Sequence, residues 1–445
     1  MALNSFVTRQ EVLNAMNAAF QPRAFLLDYA NKTLVDRTTA YNIPTYGNGQ
    51  TIKVRKRSVT RGVTTNISLL NGPMTKTIQP IEQETIDLTV DTFYNATFQL
   101  NAVNQKLFLN GEAANVETVD AAANDLVFRV QKYLYDHLIL SSNILALSPA
   151  SSLNTQDALG QIGVVAKSNN MPEDACLMVS NTALNNLSSH FGVYLNQNAS
   201  TPALKNTLPG FGLFSEIKSD NVVENYVTGT AINSTVTPVL SVAAVNGDTA
   251  LTIDFTAANA GLTIIVGDPL TATAADVFSI ARGTYQRISQ SVNRPSFIAA
   301  DIPAGTVNAD FTPPVIDVFG NIVTKGFYTV PVGGVVTISI GQTVATSGNF
   351  QTIEGPAATI PIGTPITFYD DHVASFMVAR TGISFASPRI VEIENATNTY
   401  STHNDLSLRF ATQGSLLTET NQKEIAAIWG QGMDNFYLIR VMSNN

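Results

Sequence analysis

The longest regular pattern of apolar residues in the chain lies at residues 117–140. Apolar side chains recur there at steps of three and four residues, which places them on one face of a helix. They are Val119, Ala122, Ala123, Leu126, Val127, Val130, Leu134 and Leu138. Glu117 and Asp120 fall in the first turn, where the helix dipole favours negative charge. The pattern predicts an uninterrupted helix of roughly 36 Å, a strut between other parts of the fold.

A strict two-residue alternation on either side of a turn predicts a long β-hairpin at residues 50–92. In the first arm, Ile52 and Val54 alternate with cationic side chains, and in the second, Ile86, Leu88 and Val90 alternate with Thr and Asp. Residues 71–73 (NGP) mark a turn between the arms. A hairpin of this length cannot bury both of its faces on its own core. We therefore expect it to lie against another surface.

The chain after the long helix has the pattern of a mixed α/β lobe. Residues 155–167 are amphipathic, residues 175–179 (ACLMV) form a fully apolar strand, and a helix begins near Thr182 with Ser180 or Asn181 as its cap. A further short helix is expected at the amino-terminal end, where Thr8 and Glu11 make a capping box and Pro22 follows.

Residues 224–362 differ in composition and predict an inserted all-β domain, a barrel or sandwich. Short β-rich runs alternate there with Gly, Pro, Asn and Asp, at residues 250–255, 262–266, 277–280 and 335–340. The mixed character returns after residue 363, so the all-β stretch interrupts a host fold. The fold class predicted for the whole chain is therefore α+β with an inserted β-domain.

Composition narrows the function. Of the 445 residues 44% are hydrophobic and only 13% are charged, so we expect neighbouring molecules to cover much of the surface. The net charge of −9 argues against tight sequence-independent binding to nucleic acid. The first residues lack the apolar core of a signal peptide, and no apolar run is long enough to span a membrane. We expect no membrane association.

One basic run stands out in this acidic chain and leaves two interpretations open. It contains five of the 25 cations, and several acidic residues of the second arm are its potential partners. The run is a nucleic-acid contact in one interpretation, and a charge match within the hairpin or between subunits in the other, which we favour. The candidate intersubunit contacts are Lys53, Arg55, Lys56, Arg57, Arg61, Glu82, Glu84, Asp87 and Asp91.

The sequence offers little catalytic or metal-binding chemistry. The four histidines are far apart in the sequence. The single cysteine, Cys176, lies in the predicted apolar strand, and we expect it to be a small buried residue. Asp370, Asp371 and His372 form the most suggestive cluster, but neighbouring side chains of a strand point to opposite faces. No phosphate-binding loop, dinucleotide fingerprint, nucleophile elbow or zinc-protease motif occurs. We expect no catalytic residue, no metal and no cofactor.

Several short stretches resemble the major capsid proteins of tailed phages with the Hong Kong 97 fold, most closely the phage P22 type. The resemblance spans almost the whole chain, and the order of its parts carries it more than any single motif. The stretches are residues 1–4 (MALN), 276–280 (DVFSI) with Phe297, 312–315 (TPPV), 368–371 (FYDD), 410–414 (FATQG) and 425–430 (IAAIWG). The chain departs from the family at residues 281–283 (ARG), where apolar residues are usual.

The resemblance implies a domain plan and a set of partners. The plan is an N-arm (1–45), an E-loop hairpin (46–92), a P-domain (93–143) with spine helix 117–140, a first part of the A-domain (144–223), the insertion (224–362), and the A-domain remainder with closing P-domain strands (363–445). The implied partners are other copies of the chain in pentamers and hexamers, a scaffolding protein, a portal protein at one vertex, and packaged double-stranded DNA contacted weakly on the inner face. The implied location is the virion capsid, assembled in the host cytoplasm.

Two other functions compete with a capsid subunit. The first is another β-rich phage or surface structural protein, such as a tail protein or an adhesin. The second is an enzyme with an inserted β-domain, a hydrolase that would use Asp370, Asp371 and His372.

Overall fold

The computed structural model of the protein describes somewhat more than half of the chain. The described residues are 25–30, 51–55, 85–101, 111–141, 143–146, 153, 156–168, 171–172, 174–191, 207–209, 214–223, 225–245, 247–272, 296–297, 310–316, 322–339, 359–380, 382–403, 406–415, 420–434 and 437–443. The helix expected near Thr8 and the tip of the predicted hairpin lie outside them. The chain divides into a first unit (Met1–Lys56, Thr85–His137 and Arg380–Asp434) and a second unit (Arg57–Glu84, Leu138–Ala379 and Asn435–Asn445).

Strands outnumber helices in the part of the chain that the structure describes. The α-helices are α1 (Phe25–Tyr29), α2 (Gly111–Ser141), α3 (Gln156–Ser168) and α4 (Asn181–Phe191). The strands are β1 (Thr51–Arg55), β2 (Thr85–Asn101), β3 (Asn143–Ala146), β4 (Ala175–Val179), β5 (Thr207–Pro209), β6 (Phe214–Ser219), β7 (Asn225–Tyr226), β8 (Val239–Leu240), β9 (Ala244–Val245), β10 (Ala250–Asp254), β11 (Thr263–Ile265), β12 (Pro269–Ala272), β13 (Ser296–Phe297), β14 (Phe311–Thr312), β15 (Val315–Ile316), β16 (Ile322–Thr324), β17 (Phe327–Thr329), β18 (Val335–Ser339), β19 (Thr359–Ile360), β20 (Ile366–Phe368), β21 (His372–Val378), β22 (Ile383–Ala386), β23 (Thr397–His403), β24 (Leu406–Ser415), β25 (Thr420–Met433) and β26 (Leu438–Ser443).

The first unit contains an antiparallel sheet with the strand order β1-β2-β25-β24-β23, and β22 pairs with β25 beyond the end of β24. β1 and β2 pair antiparallel, as the alternation predicts, with Lys53 opposite Asp87. A bulge between Val90 and Thr92 gives β2 one more residue than β25 at this point. An extra residue in a strand moves every later side chain to the opposite face of the sheet. Leu88 and Val90 therefore lie on one face and Tyr94 on the other, although the three residues are evenly spaced in the sequence.

Helix α2 has 31 residues and extends past both ends of the predicted 117–140, which gives a rod of roughly 46 Å. The predicted apolar side chains after residue 125 are all buried: Leu126, Val127, Val130, Leu134 and Leu138. Gln131 and Tyr135 of the same helix are buried as well. The division between the two units falls within this helix, between His137 and Leu138. The helix therefore belongs to both units.

The second unit contains a mixed sheet with the order β3-β26-β21-β4-β6-β5, and β7 pairs with β21. β3 runs parallel to β26 and β4 runs parallel to β6, while the other pairs are antiparallel. All five residues of β4 are buried, as its apolar sequence predicts, and α3 and α4 pack in the same core. Ser180 caps α4, because its Oγ accepts a hydrogen bond from the amide of Ala183 at 3.1 Å.

Between β7 and β21 the chain leaves the mixed sheet and builds a part that we call the β-rich part, residues 227–371. Its five described small sheets are antiparallel, and four of them contribute side chains to one apolar core that includes Phe255, Ile264 and Tyr328. β20 pairs with β12, and Ile366 and Phe368 belong to the same core. The β-rich core thus continues a few residues past residue 362, where the composition changes.

Candidate functional site

The predicted charged contacts are only partly within the described residues. Lys53 and Asp87 face each other across β1 and β2, and both are exposed. Arg55 lies opposite Thr85 in the same ladder. Lys56, Arg57, Arg61, Glu82 and Glu84 lie outside the described residues. Opposite charges at facing positions of an antiparallel pair contribute about 0.2–1 kcal/mol, so the Lys53–Asp87 pair fits a charge match within the hairpin.

Asp91, the last of the predicted contacts, lies at the bulge of β2 and bonds to α2 of its own unit. The hydroxyl of Tyr133 donates a hydrogen bond to Asp91 Oδ1 at 2.9 Å, and the hydroxyl of Thr92 donates to the same oxygen at 3.0 Å. Burial raises the pKa of the Tyr133 hydroxyl, so this group remains a protonated donor. The bulge thus places a carboxylate where α2 can reach it.

A second tyrosine–aspartate pair joins the same two elements in the reverse sense. Tyr94 of β2 donates to Asp125 Oδ2 of α2 at 3.0 Å, and Arg129 donates to the same oxygen at 2.9 Å. The Arg129 guanidinium also lies 5.8 Å from the centre of the Tyr94 ring. Trp429 of β25 is buried and meets Tyr133 edge to face. Helix α2 is therefore held on the antiparallel sheet of the first unit, which we call the first sheet, by directional polar contacts as well as apolar packing.

Asp370, Asp371 and His372 do not converge on a common point. Asp371 Oδ1 accepts hydrogen bonds from the amide of Thr228 at 2.8 Å and from its hydroxyl at 3.1 Å. Asp370 and Asp371 are exposed, whereas His372 is buried. Among the described residues, no group of His, Cys, Asp and Glu is arranged to hold a metal ion. The geometry gives the hydrolase alternative no support.

His372 instead belongs to a buried polar cluster centred on Arg440. Arg440 is fully buried in β26; its Nη1 donates to the carbonyl of Gly267 at 2.8 Å, and its Nη2 lies 2.8 Å from His372 Nε2. An arginine can only donate, so Nε2 accepts and the imidazole proton sits on Nδ1. Nδ1 lies 2.8 Å from the carbonyl oxygen of Asp370 and donates to it. Burial and the Arg440 charge lower the pKa of His372 to about 3, which keeps the ring neutral.

The turn between β11 and β12 is the part of the β-rich core that this cluster holds. The Tyr226 hydroxyl donates to the carbonyl of Val266 at 2.9 Å, next to the Gly267 carbonyl that Arg440 binds. Gly267 has φ +95°, and a Cβ there would lie 2.8 Å from the Tyr226 oxygen and 3.0 Å from a methyl of Ile139. Only glycine fits this position.

Asp268, which follows in the turn, is buried with one oxygen satisfied. Its Oδ2 accepts from the amide of Ile265 at 2.7 Å and from that of Gly229 at 3.0 Å, while Oδ1 has no hydrogen-bond partner among the described residues. Burial raises the pKa of Asp268 to about 6, against the lowering effect of these amides, of the nearby Tyr226 hydroxyl and of Arg440.

The Tyr226 ring completes the cluster. The Lys325 ammonium lies 3.8 Å from the ring centre and the Arg440 guanidinium carbon 4.5 Å from it, both within the range of cation–π attraction. Sequence reasoning singled out His372 but missed Arg440, Asp268 and Tyr226. The available signal was an arginine inside the apolar run LIRVM. Buried charges need partners, so this pattern indicates a specific polar contact.

The remaining histidines and Cys176 have structural surroundings where they are described. Cys176 is buried in the apolar strand β4, as expected. His137 Nδ1 lies 2.8 Å from the carbonyl oxygen of Tyr133, one helical turn earlier, and its ring packs on the Tyr133 ring. The side chains of His190 and His403 lie outside the described residues. No described helix is long and apolar enough to cross a membrane.

Comparisons with solved structures find similar chains from phages. A chain of Mycobacterium phage Che8 is 9% identical, with a TM-score of 0.41, and the match covers 93% of this chain and 89% of that one. A chain from the capsid of Cyanophage P-SCSP1u is 8% identical, with a TM-score of 0.41 over 90% of this chain and 86% of the other. A chain from the mature capsid of bacteriophage PhiM1 is 9% identical, with a TM-score of 0.36, and the match covers 89% of this chain and 82% of that one.

No protein-family model matches the sequence, and a comparison with curated proteins finds none that is similar to it.

Proposed function

We propose that this chain is the major capsid protein of a tailed phage, with the Hong Kong 97 fold and a β-domain inserted in it. The order of its parts carries the proposal. The chain runs from the β1–β2 pair through the long α2 into the mixed sheet, leaves it for the β-rich part, and returns to complete both sheets. That order agrees with the plan that the sequence resemblance implies.

In this proposal the domain plan keeps the boundaries predicted from the sequence. Residues 1–45 are the N-arm, 46–92 the E-loop, 93–143 the P-domain with its spine helix, 144–223 the first part of the A-domain and 224–362 the insertion. Residues 363–445 supply the A-domain remainder and the closing P-domain strands. The chain performs assembly and no catalysis: copies form pentamers and hexamers that close into an icosahedral shell around double-stranded DNA.

The proposed partners follow from the same role. Copies of the chain are the principal partner, a scaffolding protein guides assembly in the host cytoplasm, and a portal protein occupies one vertex of the virion. The net charge of −9 keeps contacts with packaged DNA weak, because like charges repel. Some large apolar side chains are exposed in the single chain: Phe93, Phe128, Val332 and Ile362 are between 48% and 85% exposed.

The first prediction tests the proposal directly. The full chain, expressed alone and together with a scaffolding protein, should form closed shells or rings of five and six copies, because its low charge and exposed apolar side chains favour association. Electron microscopy and sedimentation of the purified material measure this. A protein that stays monomeric both alone and with the scaffolding protein would contradict the proposal.

A second prediction concerns the basic run. Changing Arg55 and Arg57 together to Glu should reduce shell yield by about tenfold or more, because like charges placed across an interface cost several kcal/mol. If the run acts between subunits, the melting temperature should change by no more than about 2 °C, since substitutions that break no contact within the folded chain shift stability by about 0.5 kcal/mol or less. Sedimentation gives the shell yield, and circular dichroism gives the melting temperature.

The hairpin provides a matched control for this experiment. Exchanging Lys53→Asp with Asp87→Lys reverses two charges and keeps the facing pair. Its shell yield should stay near the wild-type value if the Lys53–Asp87 pair acts within the hairpin. Equal loss of folding and assembly in the double arginine variant would refute an intersubunit role for the run.

A further inference from the structure

Hydrogen-bond donors of the mixed sheet bind the turn between β11 and β12 and so connect the β-rich part to that sheet. Two consecutive carbonyls of that turn, those of Val266 and Gly267, accept hydrogen bonds from Tyr226 of β7 and Arg440 of β26. Both donors belong to the mixed sheet, and both acceptors belong to the β-rich part. Arg440 also binds His372 of β21, so one side chain connects two strands of the sheet to the turn.

This kind of contact determines direction more than it adds stability. A guanidinium donates from a rigid planar fork, so two acceptors on its two Nη atoms fix the angle between the groups that carry them. Apolar packing has no comparable directionality. Arg440 is fully buried, and the desolvation of a buried cation offsets most of what its contacts contribute. Directional buried contacts of this type can specify a single arrangement of the parts that they join.

We infer that Arg440 is a positioning residue that fixes the orientation of the β-rich part on the mixed sheet, and so determines which surfaces of that part face neighbouring copies. The first half of the inference concerns the single chain. The second half rests on the proposed capsid function. Tyr226 assists, because its hydroxyl holds the carbonyl next to the one that Arg440 binds.

The test replaces the polar contact with apolar groups and measures orientation. The double variant Arg440→Met/His372→Leu removes both the donor and its imidazole acceptor. Spin labels are attached to cysteines introduced by Val332→Cys in the β-rich part and Lys167→Cys on α3, in a Cys176→Ala background. Val332 and Lys167 are exposed. Double electron–electron resonance then gives the distribution of distances between the β-rich part and the mixed-sheet core.

The wild-type contacts should give one narrow distance distribution. In the double variant we expect a second population of at least about 10%, because removing a directional contact brings alternative orientations within a few kcal/mol. The melting temperature should fall by no more than about 10 °C, since apolar replacement of a buried charged group is often neutral, whereas the Gly267 carbonyl loses its donor at a cost of about 1–3 kcal/mol. A distribution of unchanged width together with a lower melting temperature would overturn the inference and leave Arg440 as a purely stabilising residue.

Two further variants decide the matter if the double variant does not fold. Arg440→Lys keeps the charge but lacks the planar fork, and Tyr226→Phe keeps the ring but lacks the donor; each should broaden the distribution. The control is Arg409→Met/Glu424→Gln, which removes a partly buried ion pair of 2.6 Å in the first unit and should leave the distance unchanged. Distributions as narrow as the wild type in both Arg440→Lys and Tyr226→Phe would also refute the inference.

Shell formation separates the two halves. If wild-type chains form uniform shells, the double variant should form irregular or open ones. If wild-type chains form no shells, the proposed function fails, while the distance measurement still decides whether Arg440 positions the β-rich part.

Discussion

Replacing Gly430 with alanine should unfold the first sheet, the largest effect we expect from adding one methyl group. A Cβ at this position would lie 2.0 Å from the carbonyl oxygen of Thr89, 2.6 Å from its carbonyl carbon and 2.7 Å from the Cα of Val90. All three atoms belong to the backbone of β2, which pairs with β25 here and bulges at the next residue. Relief therefore requires separating the two strands, and the cost should exceed about 4 kcal/mol, a large part of a typical stability.

Trp429 gives a direct measurement of this effect. It is the single tryptophan of the sequence, it is buried, and it lies beside Gly430, so its fluorescence reports the unfolding of the first unit in urea. The matched control is Gly160→Ala in α3, where nothing lies within 4 Å of the added Cβ. That change should stabilise the second unit by up to about 1 kcal/mol, measured by circular dichroism. A Gly430→Ala protein with a wild-type urea midpoint would show that β2 and β25 are not this close.

Helix α2 and strands β1, β2 and β4 could be predicted from sequence because their signal is local. The apolar spacing predicted α2, although its first residues, Gly111–Val116, were missed because they carry too few apolar residues for a stripe. The bulge of β2 gave no signal. Tyr94 continues the alternation of Leu88 and Val90 without a break, so the reversal of faces becomes visible only when β2 is paired with β25. The register of two strands more than 300 residues apart is set by tertiary packing.

The polar cluster could not be predicted for a related reason. Arg440 meets its partners 68 and 173 residues away in the chain, and nothing local distinguishes His372 or Gly267 as those partners. The sequence argument about His372 considered only its two neighbours, and the carboxylate of Asp371 bonds to Thr228 and not to the imidazole. It could not state that the ring accepts a hydrogen bond from a buried arginine.

The second large effect that we expect is a pH dependence of the free energy of unfolding that appears in two single variants. In the wild-type protein the contributions of His372 and Asp268 cancel. The folded pKa of His372 is about 3 against 6.5 in an unfolded chain, and that of Asp268 is about 6 against 3.8. Between about pH 6 and pH 4, the unfolded chain protonates the imidazole and not the carboxyl, whereas the folded protein protonates the carboxyl and not the imidazole. Both states then bind one proton at this pair. Its contribution to the free energy of unfolding therefore stays constant across the window.

Each single variant should expose one half of this balance. In Asp268→Asn only His372 remains; its lowered pKa stabilises the fold at high pH, and this stability is lost as the pH falls from 6.5 toward 3. In His372→Gln only Asp268 remains; its raised pKa makes the fold gain stability as the pH falls from about 6 to 3.8. Relative to wild type, the two slopes should have opposite signs, each about 1.4 kcal/mol per pH unit.

Urea unfolding of the full chain at pH 7, 6, 5 and 4, followed by circular dichroism, measures both slopes. The other carboxylates titrate equally in all three proteins and cancel when each variant is compared with wild type at the same pH. Asp370, Asp371 and Lys325 also act on His372 or lie beside it, and they are the same in both variants. Two slopes of the same sign would contradict the compensation. Two slopes of zero would mean that neither group changes its pKa on folding, and the buried cluster around Arg440 would then be open to water.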